Sequence, residues 1–194
     1  VLFRSYQLKI ANASQKKNAS VIRKVVGSSE EGKGKTVIEA KSYIAELQYG
    51  LKYSNRTILS PYLASRSAVI KQDAYKETGL SSPLTFNEIK DKSFTILPGL
   101  KFKTNLNKKV SLRGSLGLEY DISHTIDKLA PTGISGLSKV SLTDDYNQTR
   151  PVVSLGSDYA MKSNHKISTT LQYQELPYDS KSEFNAYLYY TVGF

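Results

Sequence analysis

The sequence predicts an all-β protein, an antiparallel up-and-down transmembrane β-barrel of about eight strands. Apolar and polar residues alternate with a period of two in successive segments, the predicted connections alternate between long and short, and the last alternating segment ends on an aromatic residue. Successive side chains of a strand point to opposite faces, so each such segment has one apolar and one polar face. In a membrane-spanning barrel the apolar face meets lipid and the polar face lines an aqueous interior.

Composition is compatible with this fold class. The 194 residues are enough for one domain, and 39% of them are hydrophobic with a mean hydropathy of −0.38. That mean would suit a soluble protein, but a barrel strand presents only every second residue to lipid. The absence of an apolar run of about 18 residues excludes a membrane-spanning helix. With no cysteine in the sequence, a disulfide framework and a Cys-based metal site are excluded, and we expect no cofactor and no metal.

The chain is strongly basic, with a net charge of +10 and a pI near 9.5. Its lysines and arginines are spread along the sequence, and no known binding motif frames them, so we do not expect a nucleic-acid partner. The alternatives are that these residues belong to solvated loops, turns and interior walls, or that they attract outer-membrane lipid head groups or lipopolysaccharide, which are anionic and explain the excess of positive charge at least as well as nucleic acid does.

The N-terminus lacks the basic, apolar and small-residue regions of a signal peptide. Residues 1–5 (Val-Leu-Phe-Arg-Ser) correspond to one translation of a sequencing adapter. We therefore expect residues 1–5 to be a non-native scar and residues 6–194 to form one partial barrel domain. The alternative is that these five residues simply begin the first strand.

The alternation is clearest in residues 110–122, where the even positions are apolar apart from one glycine and the odd positions carry arginine, glutamate, aspartate, serine and glycine. A helix would distribute these charges with a period of 3.6 residues, so a strand is favoured. Pro61, Pro98 and Pro151 weaken the pattern, because proline cannot donate to a ladder and requires an edge, a strand start or a bulge. The predicted strands lie in residues 6–14, 42–53, 57–72, 94–103, 110–122, 150–161, 167–173 and 182–194.

The connections between these segments follow a rule. Long gaps at residues 15–39, 73–92 and 124–146 and a medium gap at 176–181 alternate with short turns at 54–56, 105–107 and 162–165. Outer-membrane barrels have short periplasmic turns and long outer loops. The last gap falls on the long-loop side, which predicts that the C-terminal Phe194 lies in the periplasm. Many tyrosines fall near strand ends, as in an aromatic girdle, although tyrosine also favours strands in general.

Several motifs resemble one family. Residues 61–64 (Pro-Tyr-Leu-Ala), followed by residues 72–79 (Gln-Asp-Ala-Tyr-Lys-Glu-Thr-Gly), resemble the Pro-Tyr-Ala-x-Leu…Tyr-x-Glu-x-Gly pattern of autotransporter β-domains. Residues 116–120, 171–173 and 190–194 fit the same family in the same order, so the similarity covers about residues 8–194. The resemblance implies a translocator of type V secretion in the outer membrane of a Gram-negative bacterium, which anchors an upstream passenger and exports it to the cell surface.

The resemblance also implies a twelve-stranded barrel threaded by a helix, and a C-terminal strand that the outer-membrane assembly machinery reads as its signal. That signal maps onto Tyr190, Val192 and Phe194. Because we count about eight strands, we expect the chain to lack the first four strands, the pore helix and the passenger. An eight-stranded piece would leave two unpaired edges or close into a narrow barrel. We expect a curved sheet or an imperfect barrel with residues 6–14 at one edge.

Charged residues at the polar positions of the strands are the candidate pore lining. They would contact a threaded segment in a wide barrel, pair with one another in a narrow one, or form a merely solvated wall. Glu119 and Asp121 share one face, and some autotransporters use acidic residues to cleave their own passenger, but no interdomain segment is present to be cut. The predicted lining residues are Glu46, Arg66, Lys101, Lys103, Arg113, Glu119, Asp121, Arg150, Asp158 and Lys166.

An enzyme is the weakest interpretation. His124 lies near Asp121, Ser123 and Asp127 in sequence, which loosely resembles a hydrolase triad, but a single histidine in a turn is usually only solvated. Two histidines in the whole chain cannot build a His-rich zinc site. We expect no catalytic residue and no enzymatic activity. The main alternative to a translocator is a stand-alone eight-stranded barrel that acts as a porin-like or adhesin-like surface protein.

Overall fold

The structure, a computed structural model, describes residues 4–25, 27, 29–142, 146–161, 164–178 and 181–193. Within these ranges the chain forms strands, and no helix there is long and apolar enough to cross a membrane. Predictions that concern Val1–Phe3 or Phe194 fall outside the described residues. The strands are β1 (Arg4–Lys24), β2 (Glu31–Lys52), β3 (Thr57–Gln72), β4 (Tyr75–Lys76), β5 (Thr85–Phe86), β6 (Ile89–Asn105), β7 (Val110–Ile126), β8 (Thr149–Ala160), β9 (His165–Glu175) and β10 (Ser182–Val192).

Eight strands form one antiparallel sheet in the order β1-β2-β3-β6-β7-β8-β9-β10, so each long strand pairs with its neighbours along the chain. The sheet curves into a half-barrel. β1 and β10 are its two edges, and within the described ranges they make no contact with each other. The predicted up-and-down all-β architecture is confirmed, as is the expectation of a curved sheet with residues 6–14 at an edge.

The predicted long gap at residues 15–39 is wrong. β1 and β2 continue as a paired ribbon from the Gln15–Ala40 pair to the Lys24–Glu31 pair, and only residues 25–30 connect them. The apolar stripe of β1 ends at Ile10, and the polar residues beyond it carry no alternation that could have predicted a strand. At about 3.3 Å per residue, β1 extends roughly 45 Å past the end of this stripe.

The gap predicted at residues 73–92 contains the small hairpin β4–β5, which packs on β2. Tyr75 stacks on Phe86 with ring centroids 4.8 Å apart. Gly34 lets the hairpin approach, because a Cβ atom there would lie 2.5 Å from the Tyr75 ring. Leu84 and Phe86, beside and within β5, are buried, and among the described residues Ala64 is the one other buried apolar side chain. Within the described ranges the large sheet therefore has no apolar core of its own.

The alternation of connections is preserved. Short turns at residues 53–56, 106–109 and 161–164 define what we call the turn end, and residues 25–30, 73–88, 127–148 and 176–181 define the loop end. Side chains of the turn residues accept hydrogen bonds from nearby amides: Ser54 Oγ accepts from the amides of Arg56 and Thr57, at 3.2 and 3.1 Å. Asn107 Oδ1 accepts from the amides of Lys109 and Val110, both at 2.8 Å.

The apolar stripes lie on the outer, convex face of the half-barrel. The pairing register places Leu100, Leu116, Val153, Tyr173 and Phe184 directly opposite one another on five successive strands. All five are exposed, Leu116 by 62%. Residues opposite one another in a ladder point to the same face. The stripes that the sequence predicts on single strands thus join into one exposed apolar band.

Pro61 and Pro98 fit because one of the ladders is interrupted beside each of them. The β2–β3 pairing has a gap between Gln48↔Tyr62 and Leu51↔Leu59, which contains Pro61. The β6–β7 pairing has a gap between Ile96↔Tyr120 and Gly99↔Gly117, which contains Pro98. Pro151, the third residue of β8, lies near a strand start, as the sequence rule allows. Pro61 and Pro98 show that a local break in one ladder also removes the need for the amide that proline lacks.

Candidate functional site: the concave face

The concave face is the one on which side chains from strands two apart meet. Arg66 Nη2 on β3 lies 2.8 Å from Glu119 Oε2 on β7, across β6. Arg113 Nη2 on β7 donates to Thr170 Oγ1 on β9 at 2.9 Å, across β8. Such strands are roughly 10 Å apart, so their side chains converge only on the inside of the curve. The charged positions that the sequence predicts as a lining lie on this face.

A group of four charged side chains lies on the concave face toward the loop end, and we call it the Arg150 cluster: Arg66, Glu119, Asp121 and Arg150. Arg150 Nη1 donates to Asp121 Oδ2 at 2.7 Å and Nη2 to Glu119 Oε2 at 3.1 Å. Glu119, Asp121 and Arg150 are each at most 3% exposed. Two arginines balance two carboxylates, and a buried charge is tolerated only when it is paired in this way. The two carboxylates are therefore bound to partners and not free.

The Arg150 cluster also fastens the loop of residues 127–148. The Tyr146 hydroxyl and the Thr95 hydroxyl both donate to Asp121. Arg150 Nη1 donates to the Asn147 carbonyl at 2.6 Å. Burial, together with the bond to Asp121, raises the pKa of Tyr146 to about 12. The phenol is therefore protonated and able to donate at any physiological pH.

A β-bulge turns His124 to the concave face. Thr95 pairs with Asp121 but its neighbour Phe94 pairs with Ser123, so β7 carries one extra residue, Ile122. An extra residue reverses the faces of the residues that follow it. Without the bulge, His124 would share the convex face with Tyr120.

Two tyrosines from the loops surround the His124 ring. It stacks on Tyr146 with ring centroids 3.9 Å apart. Its Nε2 lies 2.9 Å from Asp91 Oδ1 and 3.0 Å from the Tyr178 hydroxyl, which itself donates to Asp91 Oδ2 at 2.8 Å. Burial, followed by the bond to Asp91, raises the pKa of Tyr178 above its usual range. These contacts hold Tyr178, in the loop of residues 176–181, against Asp91 on β6 and His124 on β7.

The triad suggested by sequence proximity is not formed. Asp127 accepts from the Lys90 amide at 2.9 Å, and Ser123 lies opposite the exposed Phe94 on the convex face. The carboxylate that contacts His124 is Asp91, from another strand. Sequence proximity misled because neighbouring residues of a strand face opposite ways, and the partner lies 33 residues away in the chain.

The remaining predicted lining residues lie toward the turn end. Glu46 contacts Lys101 and lies 3.3 Å from Lys9 Nζ. The Lys101 ammonium sits 4.5 Å above the Tyr62 ring. Arg113 lies 3.7 Å from Asp158, and Lys103 and Lys166 are exposed beside Asp158.

Tyr62 and the loop tyrosines are site residues that the sequence analysis missed. The Tyr62 ring lies across Gly99 and Gly117, where an added Cβ would meet it at 2.5 and 2.3 Å. Tyr62 occupies an even position of β3, on the same face as Arg66, so the alternation along that strand could have identified it. No periodic signal marks Tyr146 or Tyr178, because both lie in connections. In the part of the chain that the structure describes, no group of three or more His, Asp or Glu side chains could hold a metal ion.

Comparisons with known proteins agree with this geometry. The family model described as "Autotransporter beta-domain" matches residues 10–174. A similar solved structure is the translocator domain of autotransporter NalP from Neisseria meningitidis, with a TM-score of 0.74 and 19% identity. The match covers 96% of this chain and 60% of that one, and at this identity it establishes the shared fold. The comparison with curated proteins gave no match. The chain belongs to the autotransporter β-domain family.

Proposed function

We propose that this chain forms most of the wall of a translocator barrel, and that its concave face lines the conduit for an upstream passenger segment. The observation that carries the proposal is the contrast between an exposed apolar convex face and a concave face of paired charges. The ten predicted lining residues comprise six cations and four anions, a net charge of +2. A moving segment would meet a hydrated wall with little net charge to hold it.

Site-specific photo-crosslinking in cells tests the conduit. In the full reading frame, with passenger export arrested, a photoreactive residue at Lys103 on the concave face should crosslink to the passenger segment. The same residue at Leu116, on the convex face, should crosslink to lipid and give no passenger adduct. Equal crosslinking from both positions, or none from Lys103, would contradict the proposal.

We further propose that additional strands complete the barrel between β1 and β10. Within the described residues β1 pairs with β2 alone and β10 with β9 alone, so each edge has unsatisfied backbone groups. A long exposed edge is a site of aggregation unless it is paired. The alternative, a stand-alone eight-stranded barrel, requires β1 to pair with β10 directly. Cysteine pairs scanned along the two edges should fail to crosslink in a completed barrel, and an efficient disulfide would favour the alternative.

The turn end is proposed to face the periplasm, with the C-terminus beside it. The short turns at residues 53–56 and 106–109 support this orientation, since periplasmic turns are short in this class of barrel. The chain has no native cysteine, so single labels are unambiguous. In intact cells a membrane-impermeant maleimide should label Ser135→Cys at the loop end and spare Asn55→Cys at the turn end; the reverse pattern would overturn the orientation.

The assembly machinery is proposed to read Tyr190, Val192 and Phe194. Tyr190 and Val192 are exposed on the convex face of the edge strand β10, where another protein can reach them. Replacing Phe194 with serine should strongly reduce insertion into the outer membrane of cells. Replacing Tyr189, on the opposite face of the same strand, should have a smaller effect. Equal effects of the two substitutions would count against the proposed signal.

We also propose that the chain is not an enzyme and that its lipid partner includes lipopolysaccharide. His124 and Asp121 support the first statement, because both are bound to other side chains instead of facing an open cleft. A hydrolase screen should find no activity; activity in the native chain that disappears in His124→Ala would contradict this. Lys41 and Lys92, which the pairing register places on the convex face, support the second statement.

A further inference from the structure

We infer that the convex face carries a binding site for a phosphorylated glycolipid of the outer leaflet, centred on Lys41 and Lys92. The inference rests on the proposed orientation, because the site lies toward the loop end. Lys41 on β2 is directly opposite Val69 on β3, and Val69 is directly opposite Lys92 on β6. The two lysines therefore share the convex face and are separated by two strand spacings, roughly 10 Å.

Their depth relative to the apolar band is defined by two aromatic residues. Tyr43 and Phe94 lie two positions along the same strands, on the same face, and are 61% and 40% exposed. They also occupy one row of the ladder, with Ser67 between them. Exposed aromatic rings at the edge of an apolar band mark the membrane interface. The next side chains on that face are the two lysines, which places their ammonium groups among the lipid head groups.

Among the described residues, Lys41 and Lys92 have no carboxylate at ion-pair distance, unlike their neighbours. Lys16 is 2.7 Å from Glu39, and Lys90 is 2.6 Å from Glu88. Lys71 is likewise paired, at 2.8 Å from Asp73. The nearby carboxylates are thus already engaged, and two ammonium groups are available to an external anion.

The chemistry of the row favours a sugar phosphate over a simple glycerophospholipid. Lysine binds phosphate as a mobile point charge, and two flexible side chains can converge on one phosphate from either side. Ser14 is directly opposite Lys41, and Thr125 is directly opposite Lys92. Hydroxyl groups therefore flank both cations, where they can hydrogen-bond to sugar hydroxyls next to the phosphate.

The test measures lipid retention by the complete barrel of the full reading frame inserted in bilayers, using diphosphoryl lipid A in phosphatidylethanolamine as the probe. Lys41→Gln/Lys92→Gln should retain roughly tenfold less lipid A than the native chain. Lys108→Gln/Lys109→Gln is the matched control, since it removes the same charge from a turn-end connection and should retain lipid A normally. Unchanged retention in the first variant, or equal losses in both, would overturn the inference.

Two further arms make the result specific. Phosphatidylglycerol replaces lipid A in one arm, and equal retention of the two lipids by the native chain would overturn the glycolipid assignment. Lys41→Arg/Lys92→Arg keeps both charges and should restore retention, which separates loss of the site from misfolding. Labelling at Ser135→Cys and Asn55→Cys reports the orientation independently. Normal labelling with no lipid effect therefore refutes this inference alone, whereas reversed labelling refutes the proposed orientation.

Discussion

The convex and concave faces of the half-barrel are built from the same strands and have opposite chemistry. On β7, Leu116 is 62% exposed, whereas Glu119 and Asp121, on the other face, are 3% and 2% exposed. A soluble domain shows the reverse arrangement, with charged side chains outside and leucines inside. The difference shows that hydrocarbon is the solvent of the convex face, while pairing of charges organises the concave face. The same substitution at positions one apart on a strand should therefore have very different costs.

The largest effect is expected in the Arg150 cluster. Arg150→Met leaves Glu119 and Asp121 without their shared partner, and removing one member of a buried ion pair costs about 3–5 kcal/mol. Lys103→Met, on the same face but exposed and without an ion pair among the described residues, should change the free energy of unfolding by less than about 0.5 kcal/mol. Urea titration of the complete barrel of the full reading frame, inserted in a bilayer and followed by circular dichroism, measures both. Similar costs for the two variants would contradict the distinction between paired and merely solvated charges.

The next effect compares neighbouring residues on opposite faces. Leu116→Arg places a charge in the apolar band and should cost about 2–4 kcal/mol in a bilayer. Ser115→Arg adds the same side chain one position away, toward the concave face, and should cost less than half as much because that face is wet and polar. The same titration measures both variants. A larger penalty at Ser115 would mean that the two faces are assigned the wrong way round.

A third effect concerns the packing of Tyr62. Gly117→Ala would force the Tyr62 hydroxyl away from its position 2.3 Å from the new Cβ, and overpacking of this kind costs about 1–3 kcal/mol. Removing the ring first, in Tyr62→Ala, should make Gly117→Ala nearly neutral. The double-mutant cycle measures this coupling. Strictly additive costs would show that the ring and the glycine are energetically independent.

The smallest effect is local and depends on pH. Arg23 Nη2 lies 2.7 Å from the buried Glu77, and this hydrogen-bonded pairing is the main reason that the pKa of Glu77 is below its usual range. A carboxyl whose pKa is lower in the folded state stabilises that state above its unfolded pKa, about 4.3. The stabilisation is lost as the pH falls through the lower, folded value. Amide exchange in residues 74–86 should therefore quicken, after correction for intrinsic rates, between about pH 6 and about pH 3.

Arg23→Gln is the control for this pH effect. It should quicken exchange at about pH 6 and remove most of the further change on acidification. An identical pH response in the native chain and in Arg23→Gln would show that another group titrates.

The sequence predicted the fold wherever one face of a strand meets lipid, because lipid requires alternation. It failed in the β1–β2 ribbon. The apolar stripe of β1 ends at Ile10, and the residues beyond it, such as Lys16, Lys17 and Asn18, make both faces of the strand polar, so no alternation marks the strand there. The alternation of faces along the strand placed Glu119 and Asp121 on the concave side of β7. It could not place His124, because the bulge at Ile122 is a property of the pairing and has no local signature.

Contacts made by residues in the loops could not be predicted from the sequence either. Tyr146 contacts Asp121 and Tyr178 contacts Asp91, from 25 and 87 residues away, with no periodicity to link them. Such contacts depend on how a loop folds back over the sheet. The lining role of the charged positions therefore stays a proposal that their placement on the concave face supports.

The most direct test of the central claim is the environment of single nitroxide labels along β7 in lipid bilayers. Labels at Leu112, Leu116 and Leu118 should be reached by dissolved oxygen and shielded from a water-soluble relaxant, and labels at Ser111 and Ser115 should show the reverse. The alternation between lipid and water along β7 should then reverse at the bulge, so that a label at Ser123 reports lipid and a label at His124 reports water. A uniform profile, an inverted phase or an unbroken alternation through residue 124 would contradict the account.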